Sequence, residues 1–337
     1  MADAYQRKKI ADEYFNVFLQ LERLEETSPK GLLLAHYTSV EVVEKILKNK
    51  EIWMSHPFHM NDIQELNFGM GLGVRMFRDY CYCSELPSYV SDEIFSSFQG
   101  FIRHLNENTI IDTYVVCFMA HSVDDKDGSL PMWRGYGDEG HGATIVFDPA
   151  PFQQDPIPNL RTVKVIYESE AGREKILSDM LSHWQKTTIE NFAGVARVNV
   201  DSSDLFLASF YALLIIKMFA LMTKHPGFRY EDEWRVVYIP EFDGQQLFSD
   251  FLSYNIGARG IEPKLKFNIE KYNLQIDSGA IVSAKIDFNK IIDSIILGPS
   301  ISSPLAKASF LRALKGSDFD YLSNKVHSST IPLRPSK

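Results

Sequence analysis

Four short segments of the chain combine residue types that could bind a ligand or carry out chemistry. The first is His36-Tyr37, a polar pair at the end of an apolar run, followed by Thr38 and a helix pattern. Backbone N–H groups at the start of a helix favour an anion or a phosphate. The pair therefore predicts a ligand-binding cleft, and a buried histidine and tyrosine satisfied by backbone groups is the structural alternative.

The second segment runs from Trp53 and Ser55, on a predicted strand, to Asn61 in the loop that follows. Trp53 offers an aromatic face, and Ser55 and Asn61 offer hydrogen-bonding groups to a ligand. The structural alternative is a helix cap at Asn61 and Asp62, because both residue types accept hydrogen bonds from the first turn of a helix.

The third segment places Trp133, Arg134 and Tyr136 beside Gly135 and Gly137. Exposed aromatic side chains next to an arginine suit stacking on a planar ring of a ligand. The two glycines also suit a tight turn before a strand, so both interpretations stay open.

The fourth segment is acidic and leads directly into an apolar strand pattern. In a strand Glu231, Glu233 and Arg235 would share one face. A guanidinium beside a carboxylate keeps that carboxylate ionised. An ionised carboxylate can stabilise positive charge at a sugar carbon during cleavage of a glycosyl bond, whereas a solvated acidic turn is the structural alternative.

The elements that must position these segments are short strands interleaved with helices. Hydrophobic patterning predicts strands over 32–37, 51–55, 113–119, 142–148, 163–168, 234–239, 292–297 and 327–333, and a β-rich stretch over 285–288. It predicts helices over 5–26, 65–80, 91–106, 170–195 and 203–224, a helix starting at Ser303, and a helix capped by Thr38 with Glu41. No glycine-rich dinucleotide or Walker pattern follows a strand, which favours a mixed α+β fold with a split sheet.

The bulk properties argue against some classes of protein. The 337 residues are 45% hydrophobic and carry a formal charge of −9, and no run of basic residues marks a duplex-coating nucleic-acid binder. Three cysteines without framework spacing predict thiols in a reducing cytoplasm.

We expect an N-terminal helix over 1–30 and a single α+β domain over 31–337 with a helical insertion at about 170–224, and surface loops at 155–159 and 257–263.

One apolar segment, Leu205–Met222, is nearly long enough to span a membrane. Lys217 lies within it, and a charged side chain in the middle of a span is costly in lipid. The segment therefore predicts a buried core helix, and we expect no membrane as a partner.

Taken in order, several motifs resemble a bacterial family known only as a domain of unknown function, number twenty-nine seventy-one. They are HYTS, IWMSHPFHMNDIQE, CFM with MWRGYGDEGHGATIVFD, YEDEWRVV, and the late IILGP and SSTIPLR. The resemblance covers nearly the whole chain from Leu32 on. That family is in turn similar to ADP-ribosyltransferase folds, which implies a split mixed β-sheet core with surrounding helices and NAD as the substrate.

The resemblance also implies roles for individual residues. His36 would hold a ribose of NAD, and Glu233 would stabilise the oxocarbenium ion electrostatically, with Glu231 as a paired acid. Tyr37, Trp53, Trp133 and Tyr136 all compete for the place against nicotinamide. The implied NAD-binding set is His36, Tyr37, Thr38, Trp53, Ser55, Asn61, Trp133, Arg134 and Tyr136.

The activity implied is that of an NAD-dependent ADP-ribosyltransferase, a glycosyltransferase acting in the cytoplasm as a toxin or a phage-defence effector. Nicotinamide would leave first, and a nucleophile on a nucleic acid, a protein or water would then attack the ribose. The sequence leaves open both the acceptor and an antitoxin partner. Two alternatives also stay open: a non-catalytic module that senses NAD or another nucleotide, and a hydrolase that uses Glu233 as its acid or base.

Overall fold

The computed structural model describes residues 13–14, 31–57, 63–108, 113–154, 157, 159–196, 200–240, 248–257, 260–270, 273–275, 281–283, 286–301, 304–315 and 317–333. The chain forms two compact units. The helical unit comprises 1–27, 61–111 and 165–228, and the sheet unit comprises 28–60, 112–164 and 229–337. Of the N-terminal helix predicted over 5–26, only Glu13 and Tyr14 are described, and both are helical.

The described strands and helices are as follows, in chain order. The strands are β1 (Leu33–Thr38), β2 (Glu51–Ser55), β3 (Tyr114–His121), β4 (Ala143–Phe147), β5 (Leu160–Lys164), β6 (Ile166–Tyr167), β7 (Thr223–Lys224), β8 (Glu233–Tyr238), β9 (Leu252–Gly257), β10 (Gly260–Asn268), β11 (Asn273–Gln275), β12 (Ile281–Ser283), β13 (Ile292–Leu297) and β14 (Val326–Ser328). The α-helices are α1 (Val40–Asn49), α2 (Ile63–Cys81), α3 (Ser88–Asn108), α4 (Leu130–Gly135), α5 (Ala150–Gln154), α6 (Glu170–Phe192), α7 (Ser202–Met222), α8 (Phe288–Ile291) and α9 (Pro304–Leu314).

Helix α7 forms the core of the helical unit. Among the described helices it alone is long and apolar enough to cross a membrane, and 78% of its most apolar 18-residue window is buried inside the protein. Its neighbours hydrogen-bond to it, because Trp184 on α6 donates to the Ala208 carbonyl at 2.8 Å and Ser209 donates to the Ile94 carbonyl on α3 at 2.8 Å. The prediction of a buried core helix is therefore confirmed.

The helical unit is larger than the insertion that the sequence predicts at 170–224. Residues 61–111, which supply α2 and α3, cluster with that stretch. The reason is physical, since a helix that is apolar on all sides needs partners around its whole circumference. Helix α2 approaches α7 so closely that a Cβ atom on Gly69 would lie 2.6 Å from the Ala220 Cα.

A mixed sheet of ten described strands forms the sheet unit. Its order is β14-β13-β4-β1-β3-β2-β10-β9, with β8 paired to β3 and β5 paired to β8. The β13–β14 pair is parallel, and the other pairs within this sheet are antiparallel. The molecule thus has the mixed α+β character that the sequence predicts.

The sheet splits along strand β3. Strand β8 pairs with one edge of β3, from Tyr114 to Met119. Strands β1 and β2 must therefore share the other edge, where Ala35 lies opposite Met119 and Ser55 lies opposite Val115. Between these two pairs the edge of β3 has no strand partner among the described residues.

Alternation along the strands creates two faces. On what we call the Phe118 face, Phe118, Trp234 and Phe147 join the larger hydrophobic cluster. On what we call the Tyr37 face, Tyr37 and Trp133 join a smaller cluster. Because side chains alternate along β1, the Cβ atoms of Leu34 and His36 lie on the Phe118 face, whereas those of Leu33, Ala35 and Tyr37 lie on the Tyr37 face.

Several element predictions are wrong in detail. The strand predicted over 163–168 is two strands, β5 and β6, which pair with β8 and β7 in different sheets. The β-rich stretch at 285–288 contains the start of helix α8 instead, because Asp287 caps that helix by accepting a hydrogen bond from the Asn289 N–H at 3.0 Å. The last strand ends at Ser328 and not at 333, since the Thr330 backbone N–H donates to the Asp127 carboxylate in place of continuing the ladder.

The surface loop expected at 257–263 belongs to the β9–β10 hairpin. Its register runs from Gly260 opposite Gly257 to Leu265 opposite Leu252, so Pro263 lies within a paired strand. Gly260 adopts a positive φ of 97° at the turn side of β10, a conformation that glycine reaches without steric cost.

Candidate functional site

His36 lies in the opening of the split sheet. Its Nδ1 atom is 2.9 Å from the carbonyl oxygen of Cys117, which belongs to the part of β3 that neither β1 nor β2 pairs with. The imidazole therefore takes the place of a backbone partner at this edge. Its ring centroid lies 5.7 Å from that of Phe118.

The hydrogen bond of His36 also determines which nitrogen can meet a ligand. A carbonyl oxygen only accepts, so Nδ1 must carry the proton and donate it. Burial lowers the pKa of His36 below its ordinary value of 6.5, against the opposing effect of the Cys117 hydrogen bond. At neutral pH the ring is therefore uncharged, and its Nε2 atom is an acceptor.

Tyr37 points to the opposite face and is only 6% exposed. Its hydroxyl accepts a hydrogen bond from the Ser129 N–H at 2.9 Å, and its ring meets the edge of Trp133 at 4.8 Å and 76°. Burial raises the pKa of Tyr37 to about 12. Gly128 lets the loop approach this closely, because its φ is +71° and a Cβ atom there would lie 2.7 Å from the Tyr37 hydroxyl.

The aromatic segment at 132–136 is less exposed than its sequence indicates. Trp133 is completely buried, and its Nε1 donates to the Asp127 carbonyl at 2.9 Å. The expectation of an exposed stacking ring is wrong for this residue, because the loop before α4 folds over it. Tyr136 is half-buried, and Arg134 is exposed.

An ion pair between a carboxylate and a guanidinium, Glu233 with Arg235, lies at the beginning of β8 on the Tyr37 face. The Glu233 carboxylate accepts from Arg235 Nε at 2.8 Å and from Nη2 at 3.0 Å, and both side chains are only 7% exposed. A bidentate guanidinium orients a carboxylate and favours its charged form. The predicted shared face of Glu233 and Arg235 is therefore present.

Glu231 reaches the same region by a different route from the one predicted. It ends the short 3₁₀ segment Pro226–Glu231, and Asp232 has a left-handed φ of 37° before the strand begins. Glu231 is thus not a strand residue, because the backbone turns sharply between it and Glu233. Its buried carboxylate accepts from the Tyr136 hydroxyl at 2.9 Å.

The second-strand candidates have partners of their own. Trp53 donates to Glu51 at 3.0 Å, and the Lys266 ammonium lies 4.6 Å from its ring centroid. Ser55 accepts from Lys264 at 2.8 Å. Asn61 lies outside the described residues.

Thr38 ends β1 opposite Ala143, and the helix cap falls one residue later than predicted. Ser39 is the N-cap of α1, and its hydroxyl accepts from the Val42 N–H at 3.3 Å. Glu41 pairs instead with Lys45 at 2.6 Å. The capping box expected at Thr38 is wrong because Thr38 is still held in the sheet.

Strand β3 is what brings the distant candidates near one another. His36 lies at one edge of β3, and Glu233 and Arg235 lie on the strand at its other edge, opposite Met119 and Cys117. Tyr136 links the aromatic cluster to Glu231. His36 and Glu233 nevertheless lie on different faces of the sheet. Alternation places Glu233 on the Tyr37 face and the His36 Cβ on the Phe118 face.

Sequence reasoning missed one polar group in the same unit. Lys264 on β10 contacts Glu262 at 3.3 Å, with side chains 12% and 6% exposed, and also donates to Ser55. The signal was present, because Glu262 and Lys264 have the same spacing as Glu233 and Arg235. Pro263 between them favoured a loop and concealed the strand.

Comparison with known families gives a partial match. Residues 132–236 match the model of a family described as protein of unknown function (DUF2971). No curated protein and no solved structure matches the chain. The matched stretch includes Trp133, Tyr136, Glu231, Glu233 and Arg235, and it supports the expected resemblance to this family without supplying an activity.

Proposed function

We propose that the protein is an NAD-dependent ADP-ribosyltransferase and that its split sheet is of the ADP-ribosyltransferase type. The observation that carries the proposal is the opening at His36, separated by the single strand β3 from Glu233 and Arg235. Neighbouring strands lie about 4.8 Å apart, so β1 and β8 are about 10 Å apart here.

His36 supports the proposal through its hydrogen-bonding state. The Nδ1–H group is held by the Cys117 carbonyl, so Nε2 is the nitrogen that can accept a hydrogen bond from a ligand. A ribose hydroxyl is a donor that matches this acceptor. His36 would therefore bind a ribose of NAD and position it against β3.

Glu233 supports the proposal through its fixed charge. Arg235 holds both carboxylate oxygens, so the carboxylate is oriented before the substrate binds. When the bond between C1′ of the ribose and the nicotinamide nitrogen breaks, its electron pair leaves with nicotinamide and positive charge develops on the ribose. A preorganised anion stabilises that charge without having to reorient.

Glu231 and Tyr136 would act on the second half of the reaction. A nucleophile of the acceptor forms a new bond to C1′ and gives up its proton. The Glu231 carboxylate, hydrogen-bonded to the Tyr136 hydroxyl, is a base of the right type two residues before the strand that begins at Glu233. A nucleobase, a protein side chain or water fits this role, and a toxin or phage-defence effector is the setting we propose.

Nicotinamide release from NAD tests the proposal. We expect the full chain to release nicotinamide when nucleic-acid or protein acceptors are supplied, and Glu233→Gln to slow release at least about 100-fold, the usual cost of one charge-stabilising group. The matched control is Glu262→Gln, another buried carboxylate of the same sheet with a cationic partner, which should change release less than about 2-fold.

Two results would contradict the assignment. Equal losses in Glu233→Gln and Glu262→Gln would mean that general destabilisation explains the effect. A His36→Ala variant that binds NAD as tightly as the wild type would remove His36 from the ribose site.

A non-catalytic module that binds NAD or another nucleotide is the second candidate. Two observations favour it: Arg235 engages both oxygens of Glu233, and Glu233 and His36 start from opposite faces of the sheet. Saturable NAD binding without nicotinamide release, over protein and nucleic-acid acceptors alike, would select this candidate over the enzyme.

A further inference from the structure

The Phe118 face of the sheet unit contains a cavity of about 160 Å³. Strand β1 contributes Leu34 to its lining, β2 contributes Met54, and β3 contributes Phe118. Among the described residues that line it, Thr162 alone has a side chain that forms conventional hydrogen bonds. The cavity is therefore an apolar space within the sheet unit.

The cavity borders the split in the sheet. Leu34, Met54 and Phe118 come from the three strands that surround the opening, and β1 and β2 pair with β3 at different ends. Atoms that line an unfilled apolar space lose dispersion contacts on one side, so an occupant of the right shape would stabilise the protein.

The size and lining of the cavity identify the class of occupant. An enclosed apolar cavity of about 150 Å³ takes up benzene, so a volume of about 160 Å³ has room for a benzene-sized ring. Four lining residues are phenylalanines, and Phe118 and Phe147 already meet edge to face at 5.7 Å. Such rings favour a further aromatic ring in a tilted arrangement.

The exposed side of the cavity limits which polar substituents a bound molecule can carry. Thr162 is exposed, while Leu34 and Phe147 at the inner end are buried. A polar substituent can therefore remain near Thr162 while the apolar part enters. The described lining holds no charged side chain, so a charged group inside the cavity would have no compensating partner.

We propose that this cavity is a binding site for a small uncharged aromatic molecule, with a benzene-sized body inside and at most one polar substituent at Thr162. The cavity adjoins the proposed ribose site, since Phe118 lines it and the ring centroid of Phe118 lies 5.7 Å from that of His36. Its lining nevertheless lacks the hydrogen-bonding groups that a ribose or a carboxamide requires. Glu233 and Arg235 also lie on the opposite face of the sheet.

The test uses the full chain with benzene and benzyl alcohol as probes, and benzoate as the charged comparison. We expect benzene and benzyl alcohol to raise the unfolding temperature in a saturable way and to shift the ¹³C-methyl NMR signal of Met54. Benzoate should bind at least 10-fold more weakly than benzyl alcohol. Absence of saturation, no shift of the Met54 signal, or equal binding of benzoate would overturn the proposal.

Variants that fill the cavity give a second, independent test. Val236 and Leu160 line the cavity and are half-buried, so Val236→Phe or Leu160→Phe adds atoms to it, and either one suffices if the other does not fold. We expect at least a 10-fold loss of benzyl alcohol affinity. Ile261→Phe makes a similar addition at an exposed site of the same sheet and should leave affinity unchanged. Unchanged affinity in a folded filled variant would place the probe elsewhere and overturn the proposal.

Discussion

The sheet unit contains two ion pairs with the same spacing and different geometry. Glu233 and Arg235 on β8, and Glu262 and Lys264 on β10, are each two residues apart on one strand and almost completely buried. Arg235 holds its carboxylate with two hydrogen bonds of 2.8 and 3.0 Å. Lys264 approaches Glu262 at 3.3 Å and also donates to Ser55.

The two ion pairs show that the same spacing along a strand can have two different structural roles. A guanidinium presents a rigid fork that matches both oxygens of a carboxylate, whereas an ammonium is a point charge on a flexible stem. The pair on β8 therefore fixes the orientation of its carboxylate, which the proposed stabilisation of charge on a ribose would require. The pair on β10 instead joins two neighbouring strands, because Ser55 belongs to β2.

The largest expected effect comes from removing one cation. Arg235→Met leaves Glu233 buried without its guanidinium, and we expect a loss of about 4 kcal/mol in the free energy of unfolding. Lys264→Met should cost about 2 kcal/mol, because the replaced contact is longer and not bidentate. Urea denaturation followed by fluorescence measures both. Equal losses would mean that the fork adds nothing to the stability of its pair.

Exchanging the two cations separates geometry from charge. Arg235→Lys keeps the charge and loses the fork, so we expect a loss of about 2 kcal/mol in the free energy of unfolding. For the proposed transferase we also expect slower nicotinamide release. Lys264→Arg should change the free energy of unfolding by less than about 1 kcal/mol, since its site does not use a fork. If both exchanges prove neutral, charge alone maintains the two pairs.

The hydroxyl groups beside the two sites provide a finer comparison. Tyr136→Phe removes a hydrogen bond to the Glu231 carboxylate, and hydrogen bonds to charged groups contribute about 1.5 kcal/mol or more. Ser55→Ala removes the oxygen that accepts from the Lys264 ammonium. We expect it to lower the free energy of unfolding by about 1 kcal/mol, because Lys264 keeps its contact with Glu262. Thermal unfolding compares the two variants, and a larger cost for Ser55→Ala would contradict this order.

The smallest expected effect is a pH dependence that comes from His36, across β3 from the Glu233–Arg235 pair. Burial places its pKa in the folded protein below 6.5, so the unfolded chain binds the proton first as the pH falls. The contribution of His36 is therefore fully present above about pH 6.5 and declines below it, by at most about 1.4 kcal/mol per pH unit.

Urea denaturation between pH 5 and 7 measures this dependence, with the His36→Gln variant as the control. His121 and His327, whose pKa values are also lowered by burial, should leave the variant with part of the slope. An identical slope in wild type and variant would show that His36 does not contribute.

The sequence alone determined the features that depend on neighbouring residues. Alternation predicted that Glu233 and Arg235 share a face, the apolar run predicted that α7 is buried, and the patterns located strands β1, β2, β4 and β13 to within one residue at each end. These features were predictable because the period of a strand or a helix is expressed within a few consecutive residues. Where local signals competed, as at Pro263, the sequence misled.

Only the tertiary structure decided how distant segments meet. His36 bonds to a carbonyl 81 residues away, Tyr136 reaches Glu231 over 95 residues, and the loop before α4 buries Trp133. No local pattern states which strands pair, in which register, or where a sheet splits, because those choices depend on the packing of the whole core. The residue types of the candidate site are visible in the sequence, whereas the opening at His36 is a consequence of two strands sharing one edge of β3.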